Sequence, residues 1–405
     1  MNRRKKYRCF VVCCLVLDLL AIVFFGYRYL NRKIPGEIQV SRHADTDLSE
    51  VLEAPFVTFE EAVPVSQEQG YTLSCQLLGC IPFKEVKVVP VDDQEIYVSG
   101  SIIGIYMETE GVLVIDTGEI QDQNGEIKDP ARDAVRQGDY IVSLNGQKVT
   151  TKQELINDIK TLDGSEVTLE VNREGESIPV SVSPVKDSKG DYKLGIWVRD
   201  DTQGIGTLTY IDGKGNFGAL GHGISDIDTA QLLRIRDGSL YKAQVLAVTK
   251  GAKGSPGELA GFIRYEDKNI LGTIQTNTKN GIYGEFGQAM NADISLKKMP
   301  VAHKQEVKAG SASILCCVDG SVREYQAQIK KIELNHEDTN KSFVIQVTDQ
   351  ELLDITGGVV QGMSGSPILQ DGKIVGAVTH VLVNDPTRGY GIFIENMLEA
   401  EKCYG

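Results

Sequence analysis

The sequence contains only five histidines and no Cys-x-x-C pair, and this scarcity excludes the common local signatures of zinc sites. A metal would need distant ligands, so we expect no metal and no cofactor. Basic residues are also few, 42 against 56 acidic residues, and the net charge is −14. Because a phosphate backbone binds a basic face, this balance argues against nucleic acid as a partner.

Proline is sparse, at 12 residues, whereas glycine is abundant, at 42. Val, Ile and Thr recur in short runs separated by turn-forming residues, a composition that favours strands and turns over long helices. We therefore predict a mainly β chain, long enough for two folded units and an anchor. The cysteines are expected to be free thiols, with a Cys75–Cys80 disulfide as the alternative in an oxidising compartment.

The N-terminus predicts a membrane anchor. Residues 3–8 are mostly basic, and residues 9–29 are apolar apart from Asp18, Gly26 and Arg28. A bilayer core requires about 20 apolar residues in a helix, and basic residues before the helix hold that end in the cytoplasm. A cleaved signal peptide is the alternative, but the small-residue pattern of a cleavage site is missing. We predict a cytoplasmic tip and an uncleaved anchor in residues 1–30, with an extracytoplasmic remainder.

Residues 31–95 carry acidic clusters, prolines and only short apolar runs. This composition predicts a stalk or linker with little strand and no core of its own. Such segments are preferred sites of proteolytic cleavage. The segment is therefore a candidate substrate of any peptidase activity that the chain has.

Residues 96–186 predict strands and one good helix. In residues 151–162 the apolar positions fall on one helical face, and Thr151 and Glu154 have capping-box spacing. A shorter helix is expected at 130–135, and a hairpin over 167–182. The stretch 138–146, with Asn145-Gly146 as a hairpin turn, resembles the corresponding part of a PDZ domain.

That resemblance implies a function in peptide recognition. PDZ domains bind the C-terminus of an extended peptide as an added strand and hold its carboxylate with backbone N–H groups of a glycine-rich loop. The corresponding loop in this sequence would comprise Gly100, Ser101, Ile102, Ile103 and Gly104. Use of the domain only for packing or docking is the alternative.

Residues 187–405 contain the best candidate for a nucleophile. Ser364 stands in Gly-Met-Ser-Gly-Ser-Pro, followed by a strand, the hairpin turn Asp371-Gly372 and a second strand. A catalytic serine needs a base and preorganised donors for its oxyanion, and the N–H groups of Gly362 and Ser364 suit the second role. This arrangement resembles that of chymotrypsin-like β-barrel proteases. A tight turn with a merely exposed serine is the alternative.

His222, placed between two glycines at a strand end, is the preferred general base, and His380 competes for this role. The order histidine, aspartate, serine is then that of chymotrypsin-like enzymes. Asp349 follows an apolar strand and is the preferred aspartate on the pattern of the residues. The others that remain open are Asp226, Asp228, Asp293 and Asp319.

The complete combination resembles the SpoIVB family (stage IV sporulation protein B), the PDZ-containing serine peptidases of endospore-forming bacteria. It joins an N-terminal anchor and a PDZ-like unit to the stretches 221–226, 251–258 and 356–367. The resemblance implies the triad Ser364, His222 and Asp349. It also implies export from the forespore into the intermembrane space, self-cleavage, and then cleavage of a regulatory protein of a membrane-embedded complex, so that a late sigma factor is activated.

Two functions are compatible with the sequence. One is a membrane-anchored serine endopeptidase, whose PDZ-like unit controls substrate access or self-cleavage. The other is a non-catalytic PDZ adaptor in which the peptidase-like unit is a scaffold. A scaffold does not need a serine, a histidine and an aspartate in triad order, and we therefore favour the peptidase.

Overall fold

The protein is described from a computed structural model that covers residues 3–42, 57–61, 70–287, 294–336 and 338–403. Its helices are α1 (Arg3–Lys33), α2 (Lys152–Lys160), α3 (Gln350–Thr356) and α4 (Ile394–Lys402). The strands of the described residues are, in chain order, β1 (Glu37–Ser41), β2 (Val57–Glu61), β3 (Tyr71–Leu77), β4 (Ile81–Val91), β5 (Glu95–Val98), β6 (Ile102–Thr117), β7 (Ile120–Gln121), β8 (Ile127–Lys128), β9 (Tyr140–Leu144), β10 (Gln147–Lys148), β11 (Val167–Arg173), β12 (Glu176–Val182), β13 (Val185–Lys186), β14 (Tyr192–Lys193), β15 (Ile196–Ile211), β16 (Asn216–Ala219), β17 (Ile235–Thr249), β18 (Glu258–Ile263), β19 (Ile270–Thr278), β20 (Gly281–Phe286), β21 (Lys297–Pro300), β22 (Gly310–Cys317), β23 (Val322–Ile332), β24 (Phe343–Val347), β25 (Pro367–Gln370), β26 (Lys373–Val381) and β27 (Arg388–Phe393).

Helix α1 is a candidate membrane span. Residues Tyr7–Lys33 are apolar and long enough to cross a bilayer, and the apolar side chains of this part are mostly exposed. A helix rises 1.5 Å per residue, so about 20 of its residues span a hydrocarbon core of about 30 Å. The helix therefore has the length and surface expected of the predicted anchor.

The predicted stalk contains a small folded sheet, contrary to our expectation that it has no core. Its strand order is β1-β4-β3-β2, and β1 runs parallel to β4 from Glu37 opposite Lys87 to Ser41 opposite Val91. Alternating apolar residues of these strands face one side and bury each other. The buried residues are Ile34, Ile38, Leu73, Cys75, Val86 and Val88. Cys75 is buried there and Cys80 is exposed, and both thiols are free.

The first of two β-barrels contains strands from both sides of the PDZ-like unit. Strands β6-β17-β19-β20-β16-β15 follow each other, and antiparallel pairing of β15 with β6 closes the ring. We expected two short runs at 101–115, but β6 is one strand of 16 residues. Its first half packs in the barrel core, which is formed by Ile103, Ile105, Met107, Leu113, Tyr140, Leu208, Ile211, Phe217, Ala219, Leu220, Leu233, Leu240, Leu271, Ile274 and Ile282.

The PDZ-like unit is inserted between β6 and β15 and has a separate core. Helix α2 packs there through Leu155, and Thr151 and Glu154 form the predicted capping box. Asn145 and Gly146 both have positive φ, 50° and 81°, as the predicted hairpin turn requires. The short helix predicted at 130–135 is wrong, because these residues form a hydrogen-bonded turn. Since β6 serves both units, the predicted boundary at 186/187 does not divide the first barrel from the PDZ-like unit.

The second barrel is closed by β22-β23-β24-β27-β26-β25. Its hairpin between β25 and β26 has Asp371 and Gly372 at φ 51° and 79°, as predicted. A further apolar cluster joins the barrels, with Tyr210 and Tyr283 from the first, Ile392 from the second, and Met397 from α4. The fold is therefore mainly β, with an apolar N-terminal helix, a PDZ-like unit and a C-terminal β-barrel, as predicted. The first barrel, which takes β6 from before the PDZ-like unit, goes beyond the prediction.

Candidate active site

Ser364 lies in the loop between α3 and β25, where the second barrel meets strand β15 of the first. Three carbonyl groups of this loop accept hydrogen bonds from β15. Gly362 O accepts from Thr207 Oγ1 (2.9 Å), Ser364 O from Thr207 N (3.0 Å), and Gly365 O from Thr209 Oγ1 (2.8 Å). No sequence pattern marks Thr207 and Thr209, because each is an ordinary residue of an alternating strand.

Glycine is required at position 365 because the two barrels touch there. Gly365 has φ 93°, and a Cβ at this position would lie 2.1 Å from the carbonyl oxygen of Thr207. It would also lie 2.6 Å from the backbone nitrogen of Leu220. Backbone atoms cannot move aside as a flexible side chain can. The glycine after the serine therefore permits the contact that fixes the serine loop on the first barrel.

The loop also presents the predicted oxyanion donors. In the described part of the chain, the backbone N–H groups of Gly362 and Ser364 make no hydrogen bond, whereas those of Met363, Gly365 and Ser366 do. The carbonyl groups on either side are held by β15, as described above. Two free N–H groups on one glycine-containing turn suit an anion that forms beside the serine.

The Ser364 hydroxyl itself donates to a backbone carbonyl. Its Oγ lies 2.6 Å from Thr379 O on β26. The serine side chain is half-buried, and a rotation about its Cα–Cβ bond would move the hydroxyl from this acceptor towards the neighbouring cavity. The hydroxyl of this candidate nucleophile is therefore held by strand β26 and is not bonded to a histidine.

His222 follows β16 and lines the same cavity as Ser364. The backbone turns sharply before it, since Leu220 and Gly221 have φ 70° and 68°. Its Nδ1 lies 2.9 Å from the carbonyl oxygen of Gly223, and because a carbonyl only accepts, Nδ1 carries the proton. Nε2 is then the unprotonated nitrogen. Burial lowers the pKa of His222, which favours the neutral form that a general base needs.

His380, the competing base, lies beside His222. The two ring centroids are 4.6 Å apart and the rings are tilted by 34°. Burial lowers the pKa of His380 to about 4, and the neighbouring His222 and Lys341 add to this effect. Its Nδ1 is buried and has no hydrogen-bond partner among the described residues. Both histidines therefore line the cavity of Ser364, although His222 and His380 are separated by more than 150 positions in the sequence.

The cavity lies between the barrels and has a volume of about 500 Å³. Its walls are mostly apolar, and β15 forms one side. Its lining residues include Gln203, Ile205, His222, Val359, Ser364 and His380. A cavity of this size suits one or two side chains of an extended polypeptide.

The structure does not bring Asp349 to this cavity, which corrects its assignment as the residue that orients His222. Asp349 is the N-cap of α3. Its Oδ1 accepts from the backbone N–H groups of Glu351 (3.0 Å) and Leu352 (3.2 Å), and its Oδ2 accepts from Gln326 N (3.2 Å). An aspartate directly after a strand fits a triad carboxylate, but the same position also suits the first residue before a helix. The carbonyl of Gly223 orients His222 instead, and a backbone group gives no sequence signal.

The other aspartates considered have different partners. Asp226 is buried and pairs with Arg199, and Asp228 lies 2.9 Å from the same guanidinium. Asp319 pairs with Arg323 at 2.6 Å. Asp293 lies outside the described residues.

The predicted carboxylate-binding loop at Gly100–Gly104 is also wrong. Gly100 N donates to Leu208 O (2.9 Å), and Ile103 pairs with Gly206 on one side and Lys242 on the other. These residues begin the barrel strand β6, so their backbone N–H groups are not available to a ligand. The pattern of glycines and apolar residues reflects close packing, since a Cβ at Gly104 would lie 2.7 Å from the Ile263 side chain.

Comparison with solved structures finds similar chains for both parts of the sequence. The PDZ domain of an SdrC-like protein from Listeria monocytogenes is 24% identical, with 22% of this chain and 87% of that chain covered and a TM-score of 0.19. The active form of the Rv3671c protease from M. tuberculosis is 13% identical, with 50% and 74% covered and a TM-score of 0.27. The inactive form of that protease is 12% identical, with 50% and 84% covered and a TM-score of 0.28.

Comparison with sequence families covers most of the chain. Residues 101–183 match the PDZ domain family. Residues 190–398, just over half of the chain, match the family described as SpoIVB peptidase S55 and include Ser364, His222 and His380. The chain therefore belongs to the SpoIVB peptidase S55 family.

Proposed function

We propose that the protein is a membrane-anchored serine endopeptidase in which Ser364 is the nucleophile and His222 the general base. One observation carries the proposal. A serine, two free backbone N–H groups and a histidine whose Nδ1 bears the proton lie around one cavity between the barrels. Each group matches one requirement of acyl transfer from a peptide.

The steps follow from these positions. When the Ser364 hydroxyl turns from Thr379 O, its proton passes to Nε2 of His222 as Oγ bonds to the scissile carbonyl carbon. The carbonyl oxygen becomes an oxyanion and accepts from the N–H groups of Gly362 and Ser364. The imidazolium then gives its proton to the departing amine, which leaves an acyl-enzyme. Water, deprotonated by the same nitrogen, hydrolyses the ester and restores the serine.

The substrates that we propose follow from the family. The first is the segment of this chain between β1 and β3, so that the peptidase processes itself. The second is a regulatory protein of a membrane-embedded complex, cleaved in the intermembrane space during endospore formation so that a late sigma factor becomes active. Helix α1 supports this proposal, because an anchor of this length would hold the peptidase at the membrane surface where such a complex lies.

The small sheet limits where self-cleavage can occur. A peptidase binds its substrate as an extended segment, and β1 and β4 are paired with each other in the sheet. The turn between β3 and β4 consists of only Leu78, Gly79 and Cys80. Between β1 and β3, residues 42–56 and 62–70 lie outside the strands of this sheet. We propose that self-cleavage occurs in these two stretches.

A serine-directed fluorophosphonate probe tests the proposed activity. The full chain in detergent should be labelled at Ser364, and Ser364→Ala should not be labelled. Absence of labelling in the folded wild-type protein would contradict the peptidase and favour the adaptor. Peptide mapping of the labelled residue identifies the nucleophile directly.

A further inference from the structure

The hairpin between β3 and β4 has an exposed apolar tip, which comprises residues 77–83. These residues read Leu-Leu-Gly-Cys-Ile-Pro-Phe and include no charged side chain. Leu78 is 64% exposed and Ile81 is 52% exposed. The backbone N–H of Cys80 donates to Leu77 O (3.3 Å), which closes the turn. Single exposed apolar residues are common on protein surfaces, but here two of them lie close together on one uncharged turn.

The turn at the tip carries an unusual residue for its backbone. Leu78 and Gly79 both have positive φ, 56° and 72°, and such a turn favours Asn, Asp or Gly at its first position. Within the described residues, three other hairpin turns have the same pair of positive φ values, and the first residue of each is polar. They are Asn145-Gly146, Glu174-Gly175 and Asp371-Gly372. A leucine in this position costs free energy in water through its exposed apolar surface, and an apolar environment removes that cost.

Strand β4 extends from the small sheet back along α1, towards the candidate membrane span. Lys84 Nζ donates to Asn31 Oδ1 (2.8 Å) and to Ile34 O (2.7 Å). One residue nearer the tip, the Phe83 ring meets the ring of Tyr27 edge-on, with centroids 5.5 Å apart. Residues of β4 that are closer to the tip therefore contact residues of α1 that are closer to the membrane. The tip itself lies on the membrane side of Tyr27.

The end of α1 beside the tip has the residues of a membrane interface. The last two turns of the candidate span contain Tyr27, Arg28 and Tyr29. Tyrosine is enriched at the boundary between headgroups and hydrocarbon, and basic side chains near helix ends extend to the headgroups. Ile81 is two strand residues, or about 7 Å, beyond Phe83. This distance agrees with the depth of about 5–10 Å that apolar faces reach in the interface.

The sheet that carries the tip is also joined to the second barrel. Gln39 Nε2 of β1 donates to Glu399 Oε1 of α4 (3.0 Å). Asn335 Nδ2, which lies beyond β23, donates to Asn31 O (2.9 Å). Strand β1 in turn pairs with β4. A tip held in the bilayer would therefore limit the rotation of the barrels about α1.

We propose that the tip of the β3–β4 hairpin inserts into the lipid interface beside α1 and attaches the folded part of the chain to the membrane at a second point. The occupant is lipid, because the tip is continuous with the surface that α1 presents to the bilayer. Two exposed apolar side chains bind a membrane weakly by themselves, since even a single myristoyl chain gives only marginal binding. The tip therefore orients the protein and does not anchor it. The inference rests on the anchor in the function proposed above, and not on the peptidase activity.

Insertion is tested by quenching of tryptophan fluorescence with brominated phospholipids. The full chain with Ser364→Ala, which should prevent self-cleavage, and Trp197→Phe, which removes the single tryptophan, is reconstituted in phosphatidylcholine–phosphatidylglycerol vesicles. Ile81→Trp in this background should lose about half or more of its fluorescence on bromination of the acyl chains, because the ring lies at interface depth. Ile127→Trp is the matched control, since Ile127 is a 67% exposed isoleucine that also begins a strand, and it should keep its fluorescence.

Phe24→Trp in α1 distinguishes a failure of the tip from a failure of the anchor. Quenching of both Phe24→Trp and Ile81→Trp supports insertion. Quenching of Phe24→Trp alone, or equal quenching of Ile81→Trp and Ile127→Trp, overturns the tip and leaves the anchor in place. Quenching of none of them overturns the anchor and the tip together. Fluorophosphonate labelling of the wild-type protein tests the peptidase separately.

The thiol of Cys80 gives a second readout. It is exposed at the tip, and Cys403 is exposed near the C-terminus. In vesicles, a charged maleimide that does not enter the bilayer should label Cys80 several-fold more slowly than Cys403, as measured by peptide mapping. The double variant Leu78→Asp, Ile81→Asp should raise the Cys80 rate towards that of Cys403, because a carboxylate is costly inside the membrane.

Two results of this labelling would overturn the proposal. One is an equal rate at Cys80 and Cys403 in the protein without the aspartates. The other is protection of Cys80 that increases with the protein-to-lipid ratio while Ile81→Trp is not quenched. In that case a second copy of the chain, and not lipid, would cover the tip.

Discussion

The imidazole rings of His222 and His380 lie next to each other, with centroids 4.6 Å apart. Both line the cavity of Ser364, but only His222 has a backbone acceptor, Gly223 O, that fixes its tautomer. Because Nδ1 is held in the protonated form, Nε2 of His222 is always free to accept a proton. His222 is therefore a better candidate for the general base than His380.

Replacement of each histidine tests this inequality. His222→Ala should lower kcat/KM, or the rate of fluorophosphonate labelling, by several orders of magnitude, as loss of a triad member does. His380→Ala should have a smaller effect, because its ring is a neighbour of the base. Steady-state kinetics on both purified variants decides between them. If His222→Ala retained activity and His380→Ala were inactive, His380 would be the general base instead.

The serine variant has a matched control within the same loop. Ser364→Ala should abolish labelling and self-processing while the protein stays folded, because it removes a single oxygen from a loop. Ser366, two positions away, has a buried hydroxyl without a hydrogen-bond partner among the described residues. Ser366→Ala should therefore leave labelling largely intact. Equal labelling of the Ser364 variant would exclude this serine as the nucleophile.

Peptidase activity should decrease at acidic pH, and the midpoint of this decrease should lie below pH 6.5. Burial lowers the pKa of His222 from the ordinary value of 6.5, and the neutral imidazole is the active base. Activity is then constant above the shifted pKa and is lost as pH falls through it. A pH profile of kcat/KM locates this limb. His380→Gln should leave the limb in place, and a limb that moves with this substitution would assign it to the second ring.

Asp349 should behave as a helix cap. Asp349→Ala should destabilise the protein by about 0.5–2 kcal/mol. Asp349→Asn should restore the cap, because asparagine caps helices equally well, but not the bond that Oδ2 accepts from Gln326 N. Thermal unfolding and labelling rates are measured together on both variants. A triad carboxylate could not be replaced by an uncharged amide. If a stable Asp349→Asn protein were not labelled, Asp349 would be the carboxylate that orients His222.

Self-cleavage should produce new N-termini between residues 42 and 57 or between residues 61 and 70. The paired strands of the small sheet exclude most other positions in the N-terminal region. Mass spectrometry of fragments from incubated wild-type protein identifies the sites, and Ser364→Ala serves as the control. Cuts confined to the region after Gly195, or cuts that persist in the serine variant, would exclude this segment as the substrate.

The sequence predicted those parts of the fold that local chemistry determines. The capping box of α2 and the hairpin turns at Asn145-Gly146 and Asp371-Gly372 depend on a few adjacent residues, and all three are present. The division into units was harder to predict. β6 carries the barrel core in one half and PDZ core residues in the other, and a linear pattern does not show that a strand belongs to two units.

The residues of the candidate site could also be predicted only in part. Glycines on both sides of Ser364 and His222 marked two residues that the fold brings to one cavity. Asp349 was misassigned because a carboxylate after an apolar strand has the same pattern whether it caps a helix or orients a histidine. The groups that hold the site together, such as the Gly223 carbonyl and Thr207, act through the backbone or from an ordinary strand position.

The parallel pairing of β1 with β4 has a consequence for the fate of a cleaved molecule. Strand β1 follows α1 directly, and the proposed cuts lie beyond it, so the anchor fragment keeps β1. That strand still pairs with β4 over five residues, and Lys84 Nζ remains bonded to Asn31 Oδ1 (2.8 Å) and Ile34 O (2.7 Å). Cleavage at the proposed positions would leave the anchor fragment bound to the rest of the protein by non-covalent contacts alone, which also include those of Asn335 with Arg32 O and Asn31 O. The processed protein should then stay at the membrane surface until these contacts dissociate, so that their dissociation rate, rather than the cut, controls release.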